Sequence, residues 1–215
     1  MKNYNEEYYY LEPNGINYPA LDFAGPNQIK NKFKFFKEDA IDESVIELQF
    51  SAPIPRKPKM ADLHSMASNR VISRRLRDLL ISLNLKDVQF IPAVITDKNG
   101  DLIEDYFIIH IHNIIKCADM EKSIYEDDND EDAVKLVYDF EKLVLDNKRL
   151  DKIPLEERLV FFVDESDLRR LYHRTVAEKI LSLKPTGVAF YQLSSYDPSR
   201  PFQEEFIDWI LDDED

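Results

Sequence analysis

The chain has 215 residues, 44% of them hydrophobic, with 4 glycines and a single cysteine. That size permits one large domain whose core hides roughly 70% of the extended-chain surface without disulfide staples. Its 42 acidic side chains against 28 Lys plus Arg leave a formal charge of −14, which repels phosphate backbones unless cations are locally concentrated.

In chain order, Tyr4, Tyr8, Tyr9, Tyr10 and Leu11 predict an N-terminal strand that lays rings along a sheet, closed by a Pro13-Asn14-Gly15 turn. Phe33, Phe35 and Phe36 alternate with Lys32, Lys34 and Lys37, which favours a structural strand over a ligand-facing rim. Ile46-Glu47-Leu48-Gln49-Phe50 has period two and reads as a strand. Pro53, Pro55 and Pro58 then bar a regular ladder, so this stretch reads as an ordered connector.

After Ser73, Leu76, Leu79, Leu80 and Leu83 recur at helix spacing and predict an amphipathic helix. Two apolar runs follow, Val88 to Ile95 and Tyr106 to His112, rich in β-branched and aromatic residues. The Asn99-Gly100 pair between them accepts positive φ, so a helix delivered into a β-ribbon is the predicted central unit.

Asp119-Met120-Glu121-Lys122-Ser123 predicts a short turn that packs Met120 and Ile124 and exposes its charges. Glu126, Asp127, Asp128, Asp130, Glu131 and Asp132 concentrate six acids in seven residues, a run too costly to bury. It is a solvated loop or an acidic docking surface, and these six residues are the candidate partner-binding set. Residues 133–145 have mixed periodicity and are not assigned a type.

Leu159-Val160-Phe161-Phe162-Val163 predicts a buried strand. Asp164 or Ser166 is then expected to cap a helix with Leu168, Leu171, Tyr172, Val176, Ile180 and Leu181 on its packing stripe. Lys184-Pro185-Thr186-Gly187 stops that helix, and Val188 to Leu193 predicts another strand. Phe206 and Ile210 predict a short amphipathic terminal helix.

Ile81-Ser82-Leu83 and Leu181-Ser182-Leu183 lie 100 residues apart, as do Val88 with Val188 and Phe90 with Phe190. Both stretches read as helix, tight turn, strand, either as two related halves or through shared local physics. The expected fold class is α+β: a mixed, largely antiparallel sheet packed with amphipathic helices. One domain spans the chain, with an internal subdivision near residues 125–133.

No catalytic constellation stands out. His110 and His112 share a strand face and offer two nitrogen ligands, with Cys117, Asp119 or His64 as completing groups; hydrogen bonding or partner contact is the favoured role. Ser65, Ser68, Ser73 and Ser123 stand outside any Gly-x-Ser-x-Gly elbow, and Asp62-Leu63-His64 lacks a framed nucleophile. Gly15, Gly25, Gly100 and Gly187 are too scattered for a phosphate loop, so no cofactor is expected. Arg70, Arg74 and Arg77 can approach one helix face, and Arg169, Arg170 and Arg174 repeat the pattern; pairing with carboxylates is favoured over phosphate binding. The first seven residues lack a secretory apolar segment and no 18-residue apolar run exists, which predicts a cytoplasmic protein with no membrane partner.

The thread of Ser73 before the helix, Phe90-Ile91-Pro92-Ala93-Val94, Gly100, Tyr106 with His110 and Asn113, and Asp119-Met120-Glu121-Lys122-Ser123 resembles a bacterial immunity-protein family of polymorphic toxin systems, the eleventh in that naming series. Thr186-Gly187-Val188-Ala189-Phe190 extends the likeness, which runs roughly from Tyr8 to Leu193. The resemblance implies a cytoplasmic antidote that binds a cognate toxin without turnover; the acidic charge adds the expectation of a basic toxin and of no nucleic-acid partner. It assigns no contact residue. The alternatives from the residues alone are a metal-assisted enzyme at His110, His112 and Asp119, or a stand-alone protein-binding module.

Overall fold

A computed structural model describes residues 2–15, 17–25, 39–41, 44–66, 69–127, 138–166 and 169–196. The fold is α+β, mostly strands, with three short α-helices among the described residues. These residues form two compact units. One is drawn from Pro13–Asn113 and Glu178–Val188, the other from Met1–Glu12, Ile114–Ala177 and Ala189–Asp215.

The first unit is a closed barrel. Its strands are β2 (Leu21–Phe23), β3 (Ile46–Phe50), β4 (Leu63–Met66), β5 (Asn69–Ser73), β6 (Val88–Thr96) and β7 (Leu102–Ile111), in the cyclic order β2-β3-β6-β7-β5-β4. The β3–β6 and β2–β4 pairs are parallel, and the other four are antiparallel. Period-two alternation decides which side chains fill it: Ile46 and Leu48 are buried while Glu47 and Gln49 face solvent, and Ile91, Ala93 and Ile95 are buried on β6. Leu21, Phe23, Met66, Val71 and Ile108 complete this core, so every strand contributes.

Helix α1 (Arg74–Ser82) buries Leu76 and Leu80, as the leucine spacing predicts. The Arg77 guanidinium lies 4.4 Å from the Phe107 ring centre, which seats the helix over β7. Ser73 is extended at the helix start, but its hydroxyl donates to Asp62 Oδ1 at 2.7 Å instead of capping the helix. Arg70 stands on β5, opposite Ser65 and Ile109, so it does not share a helix face with Arg74 and Arg77. At the β6–β7 turn, Gly100 takes φ 90° and Asp97 Oδ1 accepts the Asn99 and Asp101 amides at 2.7 and 2.9 Å. The proline-rich stretch 51–58 forms bends and no strand.

The second unit holds a five-stranded sheet of β1 (Tyr8–Pro13), β8 (Ile114–Ile115), β11 (Val160–Val163), β12 (Arg170–His173) and β13 (Val188–Gln192), in the order β13-β1-β12-β11-β8. It also holds a two-stranded ribbon of β9 (Ile124–Glu126) and β10 (Asp139–Lys142) and the short α2 (Asn147–Leu150). The N-terminal tyrosines supply much of this core: Tyr8 meets Phe161 edge-on at 5.2 Å, and Tyr4 and Tyr10 join the same cluster.

One expected element is corrected. Leu171 and Tyr172 lie on β12, not on a helix, because Tyr172 registers with both Val160 and Tyr9 and Leu171 with Phe161. Ladders on both sides hold that segment extended, and α3 (Arg174–Ser182) starts only after His173. The expected strand at 31–37, residues 128–137, Leu168 and the expected terminal helix at 206–211 lie outside the described residues.

The 100-residue echo is a repeated local conformation. Arg74–Ser82 and Arg174–Ser182 are helices in the same offset, each following a strand and leading to another. Leu76 and Leu80 answer Val176 and Ile180 as buried positions. Ser82 and Ser182 each donate to a carbonyl three residues back, at 2.6 and 2.7 Å, and Asn84 and Lys184 exit with φ 49° and 50°.

Candidate partner-binding surface

The turn that launches β9 is fastened from both sides. Lys122 and Ser123 amides donate to the Asp119 carbonyl, and Asp119 N donates to Val144 O at 2.8 Å. Ser123 Oγ accepts the Val144 amide at 2.9 Å. The Asp119 carboxylate holds Lys122, whose hydrogen bond keeps this carboxyl below the usual range, with neighbouring amides adding to it. Asp119 therefore organises a turn, and its charge is committed locally.

From there the ribbon projects apolar and acidic side chains together. Tyr125 stands opposite Phe140 and Glu126 opposite Asp139, with a register shift before the Lys142–Ile124 pair. Phe140 is buried and anchors the ribbon, whereas Ile124 and Tyr125 are 52% and 37% exposed. Ile124 thus faces solvent, against the expectation that it packs; Met120 does pack on the core. The Tyr125 ring meets Tyr138 at 4.9 Å and Phe140 at 5.8 Å, which presents one edge of an aromatic cluster. Of the six candidate acids, Glu126 and Asp127 are exposed at the end of β9, and Asp128, Asp130, Glu131 and Asp132 lie outside the described residues. Sequence reading missed Tyr125 and Asp139; the apolar pair Ile124-Tyr125 running straight into acids was the available signal.

The chemically suggestive residues are taken up by structure. His110 and His112 stack with ring centres 5.4 Å apart and planes 17° apart, and a His110 nitrogen sits 2.9 Å from the Asp39 carbonyl. His64 Nε2 accepts the Ala61 amide at 2.9 Å, so the proton resides on Nδ1, which donates to Pro19 O at 2.8 Å. Asp62 accepts from Ser73, Arg75 and Thr186. Cys117 is buried, and burial pushes its thiol pKa well up, the reverse of an activated nucleophile. Among the described residues no three His, Cys, Asp or Glu side chains gather to hold a metal ion.

The arginines likewise have protein partners. Arg74 pairs with Asp105, Arg75 with Asp62 at 2.6 Å, and Arg77 approaches Asp78 at 3.5 Å. Arg169 donates to Phe140 O at 2.7 Å and lies 5.5 Å from the Tyr10 ring centre. No helix among the described residues is long and apolar enough to cross a membrane.

Comparison with known proteins matches the Immunity protein family (Imm11) over residues 5–195, a span that takes in both units and the acidic ribbon. No curated protein matches the chain. With that match covering most of its length, the chain belongs to the Imm11 immunity protein family.

Proposed function

We propose that this protein neutralises a cognate bacterial toxin domain in the cytoplasm by binding it, without turnover and without a cofactor. The observation that carries the reading is the family match over residues 5–195. The ribbon supplies a surface suited to it. Glu126 and Asp127 with the acids beyond them attract a basic partner and raise the encounter rate, while Ile124 and Tyr125 offer apolar area that loses water on contact. The −14 charge extends the same field over the whole chain.

Neutralisation then follows from occlusion: a toxin held on this surface has its own working face covered or its motion locked. Expression of the toxin domain encoded beside this gene, with and without this protein, tests the reading. Growth rescue with a complex recovered from the same cells is expected. Unrelieved toxicity, with the two proteins purifying apart, contradicts it.

A further inference from the structure

The barrel has closed strand pairing and so presents no free edge; among the described residues the open five-stranded sheet and the ribbon have edge strands, and the ribbon's is the one beside the acids. Among the described residues β9 pairs with β10 alone, and the far side of β10 is occupied: Arg169 donates to Phe140 O at 2.7 Å, and Tyr138 N donates to Glu165 O at 2.9 Å. The open side of the ribbon is therefore the outer edge of β9, all three of whose residues are exposed.

The side chains beside that edge bring two like charges together. Glu126 and Asp139 stand directly opposite in antiparallel register, so their carboxylates project from one face. Like charges placed that way destabilise a strand pair. Among the described residues Asp139 has an Arg169 nitrogen at 3.8 Å, and Glu126 has no ion pair. A cation arriving from outside would relieve the repulsion, and Asp127 follows in the same direction. The opposite end of the ribbon carries Lys142 facing Ile124, next to the exposed Glu141.

We propose that the outer edge of β9 receives an extended basic segment of the toxin domain as a third strand, with a lysine or arginine of that segment seated between Glu126 and Asp139. Backbone hydrogen bonds supply attachment, the facing carboxylates choose the residue, and Ile124 and Tyr125 border the added strand. The facing carboxylates fix its register, because the cation must meet the Glu126 end of the ribbon. This inference rests on the toxin-binding reading and adds the mode of attachment.

The test uses the full chain and a catalytically disarmed toxin domain from the neighbouring gene. Hydrogen exchange is followed at the Ile124, Tyr125 and Glu126 amides, free and with the toxin domain, and affinity is compared for wild type and Glu126→Lys/Asp139→Lys. Both substituted side chains are exposed, and an unchanged melting curve verifies the variant's fold. Slowed exchange on β9, with affinity weakened by about tenfold or more, is the expected result. A complex that forms with β9 exchanging as in the free protein, or that tolerates the charge reversal, overturns strand addition and leaves toxin binding intact. No complex with the wild-type chain overturns both.

Discussion

Arg158 and Tyr8 hold each other in both directions: a guanidinium nitrogen donates to the Tyr8 hydroxyl at 2.9 Å, and that hydroxyl donates to the Arg158 carbonyl at 3.0 Å. Arg158 is 5% exposed, and its other nitrogens reach Ile153 O at 2.9 Å and the Tyr4 hydroxyl at 3.2 Å. Burial pushes the Tyr8 hydroxyl pKa upward despite the arginine beside it, so the phenol stays neutral and can donate. A buried cation is thus satisfied by two tyrosine hydroxyls and one carbonyl.

Tyr8→Phe removes a donor and an acceptor from that buried group at once. It is expected to destabilise the protein by about 1–3 kcal/mol, the range for orphaning a buried polar partner. The shift of a urea unfolding midpoint at constant slope measures it; a midpoint within error of wild type would show that Arg158 finds another partner.

Glu165 plays the corresponding role near α2. Its carboxylate accepts the Cys117 and Ala118 amides at 3.1 and 3.2 Å and faces Arg149 at 3.5 Å. Glu165→Ala leaves two buried amides unanswered and should cost about 2 kcal/mol or more by the same reasoning. Amide exchange at Cys117 and Ala118 should accelerate together. If it does not, those amides are held by something else.

Stability should fall as the medium is acidified from pH 7.5 to 5.5. Burial lowers the pKa of His64 below its ordinary 6.5, and likewise that of His173. The unfolded chain then binds protons that the folded chain refuses, so stability is fully present above 6.5 and is lost as pH falls towards the folded value. Protonated His64 would also lose the lone pair that accepts the Ala61 amide. His64→Gln should flatten the dependence in this window, read as unfolding midpoints across pH, and an unaltered slope would contradict the assignment.

A second acid limb is expected lower down. Burial alone would raise the Asp62 pKa, but bonds from Thr186, Ser73 and Arg75 outweigh it and hold it below the ordinary 3.8. Its contribution is complete above that value and disappears as pH falls through the lower folded one. Asp62→Asn should destabilise at pH 7 and remove that part of the limb below pH about 4.

The paired helix exits differ in their side chains. Lys184 adopts φ 50° with a Cβ that disfavours it, whereas Asn84 at 49° is a residue that tolerates the left-handed region. Lys184→Gly should stabilise by about 0.5–1 kcal/mol and Asn84→Gly by less. Thermal melts of the two variants compare them directly, and an equal or reversed order would contradict the argument.

The elements most legible in the sequence were those whose pattern is local. Alternation at Ile46 to Phe50, leucine spacing after Ser73 and the Asn99-Gly100 turn each carry their own instruction, and the corresponding β3, α1 and β6–β7 turn formed. Barrel closure was not legible, because it depends on parallel pairings between distant segments, β3 with β6 and β2 with β4. Leu171 and Tyr172 were misassigned for the same reason: their extended form is imposed by ladders to β1 and β11. At the candidate surface the acids announced themselves as a run, but Asp139 acquires meaning only from its register with Glu126.

The central claim is that this chain acts by holding a toxin, and the most direct measurement is inhibition in a purified mixture. The toxin domain of the neighbouring gene, assayed for its own activity during titration with this protein, should lose activity as the two enter one species on gel filtration. Full toxin activity at saturating protein, with the two eluting separately, would contradict the account.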